Sequence, residues 1–411
     1  MKHRRYGVEH RRVGELRAAA GFMILMAGLG VSDSLRGIFA PVFQQHFTLN
    51  ASGLSVIIMV SYLGNLVFLS LGGQMMDRFD RKKTTMAVLL LWMAALAVYV
   101  VSDHFLLLLV SVFFAMGAST LLNTTVNLLT PLIFTAAPGM LVNVFFFVQG
   151  VGTSASQNLV GRMADSYGVF RGVNLFLLGL GLLAALFLAG VKIPGSGERP
   201  EATSSAQSAK KAVSFATVTR QPGFWLLVVI FGFYFVAEHG IMNWLVAYGT
   251  GALGLTASRA ALYLSGFYGG MTVGRLVFSP AVSALGAVRS ICGFGGIGAV
   301  LFILGSVLGG SGLWLLSLSG LFLSIVYPTM VFMIGSVFPQ HMLSTAAGAV
   351  ISLGTLADIG FNLVFGRATD YFGYGISFMA VPLCMAGFYL AYLRFARRFG
   401  ARSGQIIWKR G

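Results

Sequence analysis

Short sequence motifs recur in this chain at a constant spacing of 205 residues. The acids Asp33 and Glu238 stand at this spacing, and so do residues 161–168 (GRMADSYG) and 366–373 (GRATDYFG). A chain with such an internal repeat is expected to fold as two structurally equivalent halves. Each half would carry one carboxylate inside an apolar segment.

The apolar segments are long enough to cross a membrane. Hydrophobic residues make up 57% of the chain and charged residues 10%, whereas soluble domains carry about 25% charged residues. A membrane-spanning helix needs about 20 apolar residues, and twelve segments qualify: 18–43, 52–76, 84–101, 105–131, 140–161, 172–191, 222–248, 258–283, 288–309, 312–338, 343–366 and 374–397. The sequence therefore predicts an all-α integral membrane protein. Its twelve transmembrane helices form two six-helix halves (6+6) with pseudo-two-fold symmetry.

A polar stretch rich in proline, glycine and serine, residues 192–221, separates the two halves. Its composition is typical of a flexible linker. The predicted domains are an N-terminal tail (1–17), an N-terminal six-helix bundle (18–191), this linker, a C-terminal six-helix bundle (222–397) and a C-terminal tail (398–411).

Basic residues concentrate in the tails, in the linker and at residues 78–83, all on one side of an even number of helices. The positive-inside rule makes this side the cytoplasm. We therefore expect a multi-pass protein of the cell (inner or plasma) membrane with both termini cytoplasmic. The net charge of +16 then needs no nucleic-acid partner, since no soluble module is present to bind one.

The loop after the second predicted helix, residues 73–83 (GQMMDRFDRKK), combines small, acidic and basic residues. Gly73 lets helices approach closely, and the Asp77 carboxylate suits the positive end of a neighbouring helix dipole. Arg78 and Arg81 are placed to pair across the two halves. The loop resembles the signature loop of the major facilitator superfamily, and the resemblance implies a cytoplasmic gate formed by these four residues.

Further segments are similar to the fucose permease family of sugar:proton symporters: residues 40–49 (APVFQQHFTL), 234–245 (YFVAEHGIMNWL) and 324–329 (SIVYPT). In the sugar-transporting relatives, the seventh helix carries a glutamate and a tryptophan. This resemblance implies a role in sugar binding for Glu238 and Trp244.

Two positions depart from the pattern of that family. Its fourth helix has an acid before a Thr-x-x-Asn motif, whereas this chain has the amide Asn123. Its first-helix acid would fall on Gly37, and Asp33 lies one turn earlier.

Only three of the twelve acids lie well inside predicted spans: Asp33, Glu238 and Asp358. A charge at the bilayer centre costs at least about 2.5–3.5 kcal/mol, so such residues usually face a partner or a wet cavity. These three are the candidates for proton coupling. Asp33 forms either a structural ion pair with Arg36 or a pair that opens when solute or proton binds. Glu238 is either a hydrogen-bonded carboxyl or a proton site, and Asp358 is either a titrating site or a partner of Arg275.

Amide and aromatic side chains join these acids in the predicted solute site. Amides both donate and accept hydrogen bonds, which suits hydroxyl groups, and an aromatic face suits the apolar side of a sugar ring. The alternative is hydrogen bonding between helices, worth about 0.6 kcal/mol per contact in membranes. The predicted substrate-binding residues are Asp33, Arg36, Asn123, Asn127, Gln149, Glu238, Asn243, Trp244, Asp358 and Asn362.

The sequence thus predicts a secondary active transporter that moves a small polar solute, a sugar or polyol, by alternating access with proton-coupled symport. The alternative is a proton-coupled exporter of drugs or of hydrophobic or cationic metabolites. No nucleophile–base constellation, phosphate loop or metal-ligand spacing is present, so we expect no enzyme activity, no cofactor and no metal. The expected partners are the solute, a proton or other coupling ion and the lipid bilayer, with the chain functional as a monomer.

Overall fold

The computed structural model of the protein describes the backbone of residues 2–134, 138–191, 215–339 and 342–407. Side chains at residues 2–12, 71–78, 283, 336, 344 and 400–407 lie outside this description. Every regular element within these ranges is a helix. The predicted linker falls largely outside the described residues, and the predicted domain bounds stay a prediction.

The helices of the first predicted half are α1 (Lys2–Ile38), α2 (Ala40–His46), α3 (Ala51–Arg78), α4 (Arg81–Val101), α5 (Phe105–Ile133), α6 (Pro138–Leu159) and α7 (Tyr167–Ala189). Those that follow are α8 (Phe215–Thr219), α9 (Phe224–Gly251), α10 (Ala257–Leu285), α11 (Ala287–Ser290), α12 (Gly296–Val307), α13 (Leu313–Leu323), α14 (Val326–Val337), α15 (Leu343–Phe378) and α16 (Ala380–Ile407). A π-helical turn joins α11 to α12, and α15 is interrupted at Gly373, where φ is +74°.

Ten segments of the described chain are long and apolar enough to cross a membrane. Two further long helices, α10 and α16, lie where the eighth and twelfth spans were predicted. Arg259 and Arg275 lie in α10, and Arg394 lies in α16. Together these twelve segments match the predicted spans.

The chain divides into two compact units. The first comprises Met1–Arg36, Ile57–Ser156 and Met163–Gln207, and the second comprises Gly37–Val56, Gln157–Arg162 and Ser208–Gly411. Two short segments of the first predicted half therefore belong, by their contacts, to the unit that holds the second half. One of these segments contains α2 and the beginning of α3.

The 205-residue repeat extends from sequence to helix packing. Within the first unit, Gly152 of α6 lies against the backbone of Ala27 in α1, so that an added Cβ would lie 2.5 Å from its carbonyl oxygen. Within the second unit, the equivalent positions Ala357 of α15 and Gly232 of α9 also meet. Small residues at such crossings let helix backbones approach in a membrane, where packing replaces the hydrophobic effect between helices. Each unit thus contains the same close helix pair.

A glycine-to-alanine substitution tests the crossing of α1 and α6. A Cβ at Gly30 would overlap the carbonyl oxygen of Gln149, so Gly30→Ala is expected to destabilise the fold by about 1–3 kcal/mol through overpacking. Gly179 of α7 is the control, since an added Cβ there meets nothing within 4 Å. We expect thermal unfolding in detergent to show a lower midpoint for Gly30→Ala and an unchanged or slightly raised midpoint for Gly179→Ala. Equal midpoints for the two variants would contradict this packing.

Candidate functional site

Asp33 is half-buried on α1 and is held by a neighbouring helix of the first unit. The hydroxyl of Ser119 on α5 donates a hydrogen bond of 2.8 Å to its carboxylate. The next turn of α5 continues the contact, because the Asn123 amide donates to the main-chain oxygen of Ser119 at 3.0 Å. The α1–α5 crossing therefore places an acid, a hydroxyl and an amide together.

Arg36, one turn after Asp33, lies on an aromatic ring. Its guanidinium is 4.8 Å from the centre of the Tyr62 ring on α3 and 3.3 Å from the Tyr62 hydroxyl, to which it donates. A further contact of 3.8 Å joins it to the sulfur of Met116. Arg36 acts on the Asp33 carboxylate electrostatically, while the carboxylate itself bonds to Ser119.

The remaining amides predicted in the first half have different surroundings. The side-chain oxygen of Asn123 is buried without a hydrogen-bond partner among the described residues. Gln149 is half-buried and Asn127 is exposed. Asn123 thus carries an unused acceptor one helical turn after Ser119, the partner of Asp33.

Asp358 lies on α15 in the second unit, and none of its side chain is exposed. Its carboxylate lies 2.6 Å from the Nδ1 atom of His239 on α9. Of the two alternatives left open for Asp358, the structure does not show the pairing with Arg275: α9, which packs closely on α15, supplies His239 as the partner instead. His239 is the accessible member of the pair, with 26% of its side chain exposed.

The second carboxylate oxygen of Asp358 extends the contact along α15. The Asn362 amide, one turn later, donates to it at 2.9 Å, and the indole N–H of Trp244 donates to the Asn362 oxygen at 2.8 Å. These four side chains, His239, Asp358, Asn362 and Trp244, form what we call the α9–α15 polar network. Three of its members have no exposed surface, and the Trp244 ring packs on Phe365 at 4.5 Å.

Glu238 and Asn243, also on α9, lie outside this network. Glu238 is half-buried, and its main-chain oxygen accepts a hydrogen bond of 3.2 Å from the Tyr268 hydroxyl. The Glu238 carboxylate and the Arg275 guanidinium lie close enough to the Tyr234 hydroxyl to interact with it electrostatically. Asn243 is buried.

The signature loop is described only in part. The side chains of Gly73, Asp77 and Arg78 lie outside the described residues, and Arg81 is the half-buried first residue of α4. The helix cap here is Asp80, whose carboxylate accepts from the backbone N–H of Lys83 at 2.8 Å. The predicted gate stays a prediction.

Sequence reasoning missed both side chains that hold the acids, Ser119 and His239. Neither has a local signal, because each contact joins helices that are far apart in the chain. The Asp358–Asn362 contact is different, since a spacing of four residues already places both on one helix face. Among the described residues, no group of three or more His, Cys, Asp or Glu side chains could hold a metal ion.

A helical bundle that spans the membrane and pairs ionisable groups in its interior is characteristic of membrane transporters. The family model of the Major Facilitator Superfamily matches residues 22–359. The chain therefore belongs to the Major Facilitator Superfamily, and it is a transporter rather than an enzyme. The predicted membership is confirmed.

Solved structures share the fold. A variant of the E. coli fucose:proton symporter FucP is similar at a TM-score of 0.62 and 20% identity, covering 92% of this chain and 98% of that chain. The nucleoside transporter NupG has a TM-score of 0.71 at 12% identity, with 93% and 98% covered, and a D-xylose-proton symporter 0.67 at 15%, with 90% and 96% covered. At these identities the likeness shows the fold alone, and it supports the twelve-helix 6+6 architecture. No curated protein sequence matches the chain.

A double-mutant cycle tests the α9–α15 polar network. Asn362→Ala leaves the buried indole N–H of Trp244 unpaired, so it is expected to cost about 1–3 kcal/mol of stability. In the background of Trp244→Phe, which removes that N–H, the same substitution should cost less. The expected coupling energy is about 0.6–1.7 kcal/mol, the range found for such hydrogen bonds in membranes.

The cycle is measured by thermal unfolding in detergent, with Trp314→Phe as control because Trp314 is 58% exposed. Strict additivity of Trp244→Phe and Asn362→Ala would show that the hydrogen bond contributes nothing to stability.

Proposed function

We propose that this transporter is a proton-coupled symporter of a small polar solute, a sugar or polyol, working by alternating access. It would reside in the cell membrane with both termini cytoplasmic, as the distribution of basic residues predicts. The observation that carries the proposal is the His239–Asp358 pair, an acid and a base at 2.6 Å inside a membrane-spanning helix bundle. Intramembrane ionisable pairs of this kind serve proton relays.

The proton is proposed to enter the pair through His239. His239 is partly exposed and Asp358 is fully buried, so water reaches the imidazole first. A proton taken up there can stay on the imidazole, giving an ion pair, or pass to the carboxylate, giving a neutral pair. The two forms differ in charge distribution without any large movement of either side chain. A solute bound nearby would favour one of them and so couple its binding to the proton.

Asp33 is proposed as the acidic group of the first half. It is held by Ser119 and lies one turn from the charge of Arg36. The Asn123 oxygen, one helical turn after Ser119, has no hydrogen-bond partner among the described residues and is proposed as an acceptor for a hydroxyl group of the solute. An acid, an amide and a hydroxyl in one place favour a polyhydroxylated solute over an apolar one.

For the remaining predicted site residues, we propose a role for each from how far its side chain is buried. Trp244 and Asn362 are fully buried, so we assign them to holding Asp358 in position. Gln149, Asn127, Glu238 and Arg36 keep an exposed fraction and are proposed to contact the solute. Asn243 is buried and is proposed to support the site from within α9. Gly73, Asp77, Arg78 and Arg81 are proposed as the cytoplasmic gate.

The similar folds are consistent with this solute class. Two of the solved structures are, by their names, proton symporters of the sugars fucose and xylose. Their sequence identity to this chain is too low to assign their substrates to it. The sugar assignment therefore rests on the polar groups described above and on the resemblance to the fucose permease family.

Uptake into proteoliposomes tests the coupling. Under an inward proton gradient, the wild-type protein should accumulate one of a panel of labelled hexoses, pentoses and polyols. Asp358→Asn cannot take up the proton, so we expect loss of gradient-driven accumulation while exchange of solute across the membrane persists. Asp165→Asn, which changes an exposed acid, is the matched control and should accumulate normally.

Two outcomes would overturn the proposal. Undiminished accumulation by the double variant Asp33→Asn, Asp358→Asn would show that neither acid couples the proton. Absence of transport for the whole panel, together with resistance of overexpressing cells to cationic dyes, would identify an exporter.

A further inference from the structure

The carboxylate of Asp370 lies at the N-terminus of α3. It accepts hydrogen bonds from the backbone N–H groups of Ala51 at 2.8 Å and Ser52 at 3.1 Å, and from the hydroxyl of Ser52. Asp370 is 318 residues further along the chain than Ser52, yet both belong to the second compact unit. We call this arrangement the α3 cap (Ala51, Ser52 and Asp370).

The α3 cap completes the first turn of that helix. Asn50 accepts from the backbone N–H of Gly53 at 2.9 Å through its side chain and from that of Leu54 at 3.1 Å through its main chain. Asp370 accepts hydrogen bonds from the N–H groups of the two residues that lie between Asn50 and Gly53, namely Ala51 and Ser52. The amides of the first three residues of α3, which a helix leaves free at its start, therefore all have acceptors, and two of the three depend on one distant carboxylate.

Helix dipoles explain why this carboxylate turns toward α3. Asp370 stands three residues before Gly373, where α15 is interrupted, so it lies at the negative end of its own helix segment. A carboxylate is unfavourable there and favourable at the positive N-terminus of another helix. The close approach is permitted by Gly366, one turn earlier, because a Cβ at that position would lie 2.6 Å from the Cβ of Ser55.

A second contact joins the same parts of the chain. The hydroxyl of Tyr374, just after the interruption, donates to the side-chain oxygen of Gln44 in α2 at 3.1 Å. Both contacts attach the segment Gly37–Val56, whose flanking residues belong to the first unit, to the end of α15.

The repeat supplies an internal comparison. Asp165 and Gly161 are the counterparts of Asp370 and Gly366 at the 205-residue spacing. Gly161 also lies at a crossing, with an added Cβ overlapping Ala261 near the start of α10. Asp165 is exposed, however, and α10 is capped locally by the Thr256 hydroxyl, which accepts from the backbone N–H of Arg259 at 3.3 Å. One half thus uses the carboxylate of the repeated motif as a cap, and the other does not.

We infer that Asp370 is a reversible latch of the transport cycle, holding the start of α3 against the end of α15 in one state and releasing it in the other. Asp370 is exposed, so water can donate hydrogen bonds to its carboxylate in place of the N–H groups when the contact opens. The contact can therefore be broken.

Spin-label distances test the latch without any solute. Labels are placed at His104 and Ser311, both exposed and both in loops between predicted membrane spans on the side of the latch, in a background with Cys292→Ala and Cys384→Ala. Asp370→Asn weakens the cap, so the ratio of the long-distance to the short-distance population should rise about fivefold, as expected for loss of a helix cap. Asp165→Asn, the matched control, should leave the distribution unchanged.

Ser52→Ala keeps the carboxylate and removes one donor, so a shift of about twofold in the same direction is expected. It keeps the inference testable if Asp370→Asn fails to fold, which size-exclusion chromatography and thermal unfolding would show. An unchanged distribution in both Asp370→Asn and Ser52→Ala, or an equal shift in Asp165→Asn, would overturn the latch. The inference assumes alternating access but no particular solute or coupling ion, so its failure is distinguishable from failure of the proposed symport.

Discussion

The hydrocarbon core of a membrane contains no water, so a polar group there must find its hydrogen-bond partner within the protein. The α9–α15 polar network meets this constraint for Asp358, whose two carboxylate oxygens are shared between His239 and Asn362. The Asn362 oxygen is in turn used by Trp244. The burial of Asp358 and the close contact between α9 and α15, which supply its partners, therefore depend on each other.

The two halves repeat their packing but not their chemistry. The positions equivalent to His239 and Asp358 in the first half are Ser34 and Thr153, at the same 205-residue spacing. The Thr153 hydroxyl donates to the main-chain oxygen of Gly30 at 3.1 Å, and Ser34 bonds to the Ser156 hydroxyl at 2.7 Å. One half therefore has neutral hydroxyls where the other has an acid and a base. At these equivalent positions, the ionisable pair of the proposed proton coupling therefore belongs to the second half alone.

The sequence predicted those features that depend on local spacing. The twelve spans follow from segment length and hydropathy, and the repeat predicted two structurally equivalent halves. The crossings of Gly152 with Ala27 and of Ala357 with Gly232 show this equivalence in the helix packing. It could not predict the partners of the acids, because these contacts join distant helices. Pairing by charge alone suggested Arg275 for Asp358, yet the packing of α9 on α15 supplied His239. In the sequence, Asp370 stands out only as part of a repeated motif. Its use as a helix cap could not be predicted, because it depends on the approach of α3.

Infrared difference spectroscopy of the purified protein, recorded between neutral and acidic pH, observes proton uptake by a carboxyl group directly. The account predicts a protonated-carboxyl band, distinct from those of exposed acids such as Asp165 and Asp370, that is present in the wild type, absent in Asp358→Asn and shifted in frequency in His239→Gln, whose amide can still hydrogen-bond the carboxyl. An identical band in Asp358→Asn would place the proton elsewhere and contradict the central role of the His239–Asp358 pair.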